Sequence, residues 1–74
     1  MITDEIKSLL RAPKFQQFSV HVSDGSVHRV PHPDYAWLTP GNMVLYVFEH
    51  NAGQRISVAE ITRIETPENA SLGN

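Results

Sequence analysis

With 74 residues there is room for one domain, and Lys+Arg of 6 against Asp+Glu of 8 gives a formal net charge of -2, so no global positive field exists to gather phosphate backbones or anionic lipid. The absence of cysteine excludes disulfides, thiolate zinc sites and cysteine nucleophiles, and fits a reducing, cytoplasmic setting. No run approaches the roughly 18 apolar residues of a membrane span, and Asp4 and Glu5 precede the first base, unlike the start of a signal peptide.

Size carries a thermodynamic expectation as well. Below roughly 70–80 residues a single core seldom yields more than about 3–5 kcal/mol, so self-association into a homo-oligomer is expected to bury a second apolar surface.

The chain opens with a helical pattern. Ile2, Ile6, Leu9 and Leu10 follow i, i+4, i+7, i+8 spacing, which makes one apolar stripe; Thr3 is a candidate cap, and Asp4 and Glu5 suit the positive end of the dipole. Ala12-Pro13 stops the helix, because proline disfavours the helical region in the residue before it and lacks an N–H.

From Phe18 to Val30 the pattern changes to period two. Phe18, Val20 and Val22 alternate with Ser19, His21 and Ser23, and Asp24-Gly25 is the dipeptide of a two-residue type I′ turn. That turn predicts pairs Ser23 with Ser26, Val22 with Val27 and His21 with His28. Val27 and Val30 then cannot share a face, so a bulge near His28 and Arg29 is expected.

Pro31 and Pro33 exclude a central ladder position. Asp34 is placed to cap one helical turn over Tyr35 to Leu38, closed by Pro40-Gly41. Residues 43–48, Met-Val-Leu-Tyr-Val-Phe, form the longest apolar run and show no alternation; both faces should be buried, or one should meet another subunit. Asn51 and Gly53 are candidate left-handed positions before a strand at Arg55 to Val58. A 3₁₀ turn near Ala59 to Ile61 and a last strand from Thr62 to Glu65 complete the domain.

The expected fold is therefore mostly β (α+β): an N-terminal helix packed on about five short antiparallel strands, as a small barrel-like or open meander. Residues 1–66 form the domain, and 67–74, polar and aperiodic, a loose tail.

Leu10-Arg11-Ala12, Lys14-Phe15-Gln16-Gln17-Phe18, Asp24-Gly25, Val30-Pro31-His32-Pro33-Asp34 and Ile61-Thr62-Arg63-Ile64-Glu65 together resemble a family of short, uncharacterised bacterial proteins. Their order is Leu-Arg-Ala, Phe-x-x-Phe, Asp-Gly, then His-Pro and an acid; Lys14 and Gln17 stand where that family often has proline. The resemblance implies a recurring small fold and no substrate. A weaker architectural similarity is to Sm-like and SH3-like small barrels, whose basic rim and RNA-contacting pair this chain lacks.

Chemistry is sparse. His21 and His28, as cross-strand neighbours, are the nearest approach to a metal pair, with His32 or Asp34 as third ligand, but a solvated pair is the better reading. Ser19, Ser23, Ser26 and Ser57 lie in no nucleophile elbow or triad order. No catalytic, cofactor or metal residue is assigned. Tyr35, Trp37 and Leu38 are the candidate partner-binding residues, with Trp37 as a lid over the core the competing and favoured role.

The leading expectation is a non-enzymatic interaction or oligomerisation module with an unknown protein partner. The alternative is a nucleic-acid-binding Sm-like barrel, and a metal-dependent small enzyme ranks third.

Overall fold

The computed structural model describes residues 2–67, so the expected tail lies, beyond Pro67, outside the described residues. Helix α1 spans Ile2–Arg11, with Asp4 and Glu5 in its first turn and Arg11 in its last. Thr3 thus sits within the first turn rather than at the cap, while the stop before Pro13 falls where expected. Ile6 is fully buried, and Ile2, Leu9 and Leu10 pack against the same core.

Six strands follow among the described residues: β1 (Phe18–Val22), β2 (Val27–Val30), β3 (Ala36–Leu38), β4 (Val44–Glu49), β5 (Ala52–Ser57) and β6 (Ile61–Glu65). They form two antiparallel three-stranded sheets, ordered β2-β1-β6 and β3-β4-β5, which stay open rather than closing into a barrel. Phe18, Val20, Val30, Ile61 and Ile64 of the first sheet, Leu45, Val47 and Ile56 of the second, and Ile6 of α1 make one core. The inner faces of the two sheets meet through this core, and each roofs the other.

The hairpin departs from expectation in one residue, and the consequences spread. Val22 N–H donates to Ser26 O and Gly25 N–H to Val22 O, both at 2.9 Å, so the loop has three residues, with Gly25 left-handed at φ 92°. The register becomes Phe18 with Val30, Ser19 with Arg29, Val20 with His28 and His21 with Val27. A slip of one residue turns every side chain of β2 over. Val27 faces water and Val30 the core without any bulge in β2, and His21 and His28 lie on opposite faces.

The bulge occurs elsewhere. His21 pairs with Arg63 but Val22 with Ile61, leaving Thr62 as the extra residue of β6, its hydroxyl donating to His21 O at 3.2 Å. This brings Ile61 and Ile64, three apart, to the same buried face. A 3₁₀ turn at Val58–Glu60 precedes β6, one residue earlier than expected.

The middle segment also differs. Pro33–Tyr35 is the 3₁₀ turn, capped by the His32 ring, which accepts from Asp34 N–H, and Ala36–Leu38 is a strand. Asp34 is not the cap and Trp37 is not helical, because pairing of β3 with β4 outweighs one isolated turn. The β4–β5 turn is made by His50 and Asn51, with φ 55° and 62°, whereas Gly53 lies within β5. Asn51 was the expected left-handed position; Gly53 was not needed as one.

Replacing Gly25 with Ala tests the loop. A Cβ there would meet nothing within 4 Å, so the cost is conformational alone, about 1 kcal/mol. Thermal denaturation should show a drop of roughly 4–8 °C; an unchanged melting temperature would contradict the left-handed assignment.

Candidate functional site

The two sheets share a core but present opposite outer faces. On the first, alternation places Ser19, His21, Arg29, Arg63 and Glu65 outward, with Val27 as an exposed aliphatic among them, a mainly polar surface. On the second it places Trp37, Tyr46, Phe48 and Arg55 outward. Aliphatic Leu45 and Val47 of β4 are fully buried, while aromatic Tyr46 and Phe48 are 38% and 48% exposed. The apolar run therefore has one buried face and one open to solvent.

The open face is a connected aromatic surface. Trp37, opposite Tyr46 in register, stacks on it with centroids 5.7 Å apart and planes at 19°. Tyr35 meets Phe48 edge-on at 6.0 Å. A shallow groove runs among Tyr35, Trp37, Tyr46 and Phe48, with Gly53 in its lining and Asp34 at its rim. Phe15 and His32 extend the ring contacts from Phe18 of the core out to Tyr35, which holds the 3₁₀ turn in place.

Of the three candidate binding residues, the structure groups two. Tyr35 and Trp37 are 42% and 58% exposed on this surface, so Trp37 is no lid. Leu38, opposite Leu45, turns inward and packs against the core. Tyr46 and Phe48 were not among the candidates. The signal that could have found them is the alternation, within the run, of aliphatic Leu45 and Val47 with aromatic Tyr46 and Phe48.

The histidines serve other purposes. His28, turned inward by the register, hydrogen-bonds the Glu49 carboxylate through Nδ1, and both side chains are less than one-fifth exposed, at 16% and 18%. This pair ties β2 to the end of β4, joining the two sheets. His28 Nε2 lies 3.2 Å from Ser26 Oγ, so Glu49, His28 and Ser26 stand in the order of a hydrolytic triad. The Ser26 hydroxyl, however, donates to Asp24 Oδ1 at 2.6 Å, directing its proton away from the ring. A nucleophile needs the opposite. His21, on the outer face, reaches Glu65 at 2.8 Å. Among the described residues no three His, Asp or Glu side chains converge as a metal site.

Asp24 accepts from the hydroxyl and from the backbone N–H of Ser26, and these bonds, the hydroxyl's first, hold its carboxyl below the ordinary 3.8. No family model matches the chain, and no curated protein or solved structure matches it.

Three measurements check this geometry. Trp37 is the single tryptophan, so at low concentration its emission should be that of solvent-exposed indole, freely quenched by acrylamide. His28→Ala should cost about 1–3 kcal/mol in urea melts, since it strands a half-buried carboxylate; with Glu49→Ala added, the loss should fall short of the sum of the two single effects. A depressed Asp24 pKa stabilises the fold above pH 3.8, and that contribution is lost as pH falls through the folded-state value. An NMR titration should place the Asp24 midpoint below 3.8, and Ser26→Ala should raise it.

Proposed function

We propose that this chain is a non-enzymatic interaction module that associates with copies of itself through the β3-β4-β5 sheet. The observation carrying this reading is the contiguous aromatic face of Tyr35, Trp37, Tyr46 and Phe48 on a chain whose other sheet, among the described residues, exposes no Phe, Tyr or Trp ring and is mainly polar outside. Side chains of this kind, exposed to this extent, present roughly 400 Å² of mostly apolar surface. Patches of a few hundred Å² mark interaction sites on small proteins. The same area is about half of the ~800 Å² that each partner gives to a standard interface, leaving the remainder to a polar rim.

Supporting considerations come from size and chemistry. A core of nine buried side chains among the described residues is small, and association adds what a larger core would otherwise provide. The proton direction at Ser26 speaks against hydrolysis at the triad-ordered cluster of Glu49, His28 and Ser26.

A second reading has one observation in its favour. Trp37 stacked on Tyr46, with Arg55 opposite Tyr46 on the next strand, is the arrangement on which single-stranded bases stack. The net charge of -2 weighs against it. Salt-sensitive mobility shifts with mixed oligonucleotides would favour this reading over the first.

Sedimentation equilibrium on the full chain tests the proposal. A dimer or larger species is expected at micromolar concentration, and Phe48→Ser should weaken association about tenfold. A chain that stays monomeric at every accessible concentration would remove the reading.

A further inference from the structure

The two open sheets leave four edges, β2, β6, β3 and β5. Three are guarded in the ways that natural sheets use against edge pairing. β3 has three residues and lies between Pro33 and Pro40; β2 has four and runs into Pro31; β6 is bulged and carries Arg63 and Glu65. β5 has six residues, no proline and one charge, Arg55.

Gly53 within that strand has no local explanation. It is not left-handed, and a Cβ on it would meet nothing within 4 Å, so neither a turn nor internal packing requires a glycine. A bare position in a strand suits the close approach of another chain. Beside it, Phe48 is 48% exposed, and among the described residues Arg55 has no ion-pair partner.

We infer that two copies join antiparallel along β5, with Gln54 opposite Gln54 of the partner subunit, so that Arg55 lies over Gly53 of the partner subunit and against the partner's Phe48. The register follows from side-chain facing and charge. A two-fold axis perpendicular to the sheet must pair residues of like face. Centring it on Arg55 sets like charges directly opposite, which destabilises; centring it on Gly53 carries Arg55 past the end of the partner strand, and centring it on Ile56 sets Arg55 against a serine, so only Gln54 sets Arg55 against the bare glycine. The outer row then runs Trp37, Tyr46, Arg55, Gly53 of the partner subunit and the partner's Phe48, using the cross-strand pairs already in each copy. The arginine stem fills the space the glycine leaves, and its guanidinium meets an aromatic ring. The inference rests on the second sheet mediating self-association and places the first contact at that sheet's edge, which joins the two aromatic faces side by side into one outer row rather than covering them.

The chain has no cysteine, so single cysteines report the register directly. Residues opposite one another in antiparallel strands have Cα atoms about 4.5–5.5 Å apart, within the roughly 4.4–6.8 Å that a disulfide spans. Mild oxidation of Gln54→Cys should give a covalent dimer. Ser57→Cys, about 20 Å from its mate in this register at ~3.4 Å per residue, should not. Gly53→Val should weaken dimerisation at least about tenfold in sedimentation without lowering monomer melting, because a Cβ there meets nothing within 4 Å and a β-branched residue suits a strand.

Equal cross-linking at both positions, or a dimer indifferent to Gly53→Val, overturns the β5 pairing but keeps self-association. In that case dissociation by Trp37→Ser would point to aromatic faces packed on each other. A wild-type chain that never dimerises overturns the pairing and the self-association reading alike.

Discussion

The three-residue loop from Ser23 to Gly25, in which Gly25 is left-handed and Asp24 is not, decides how this molecule is put together. A two-residue turn would send Val27 inward and leave His28 on the wet face opposite His21. The three-residue loop instead turns β2 over, so that Val30 joins Phe18 in the core and His28 points toward the second sheet. The two sheets are then joined by an apolar core and, at its margin, by the hydrogen bond from His28 to Glu49. The same rotation leaves His21 free to meet Glu65 on the outer surface, which completes the polar face of the first sheet.

Asymmetry between the outer faces follows from how each sheet is used. The first receives α1 against β6 and carries hydrogen-bonding side chains outward, an arrangement that water satisfies. The second carries stacked and edge-packed rings outward, held by cross-strand register and by the 3₁₀ turn at Pro33–Tyr35. Rings arranged in this way keep little conformational freedom, so covering them costs little entropy. A surface of that kind is suited to contact, and among the described residues it sits beside the sheet edge that proline, bulge and paired charge leave unguarded.

Much of the architecture was legible along the chain. The stripe of Ile2, Ile6, Leu9 and Leu10, the strand at Phe18 to Val22, the strand in the long apolar run and the 3₁₀ turn before the last strand all rest on local spacing. Local spacing is written in consecutive residues. The pattern of two valines or isoleucines three apart was ambiguous: at Val27 and Val30 it meant opposite faces, at Ile61 and Ile64 a bulge and one face. Nothing local separates these cases, because a bulge is a property of the partner strand's register.

The candidate site was legible only in part for the same reason. Tyr35 and Trp37 were visible as aromatics in a punctuated segment, but Leu38 belonged to the core, and Tyr46 and Phe48 were hidden in a run that looked buried on both sides. By itself the amino-acid order determined the helix, the presence and type of the main strands, and the absence of any disulfide, since these depend on composition and on neighbours within a few positions. Tertiary structure alone decided the sheet order, the hairpin register, the His28–Glu49 tie and the gathering of four rings on one face. Each of those depends on which distant segments lie side by side, and a backbone offers several hydrogen-bonded alternatives until packing selects one.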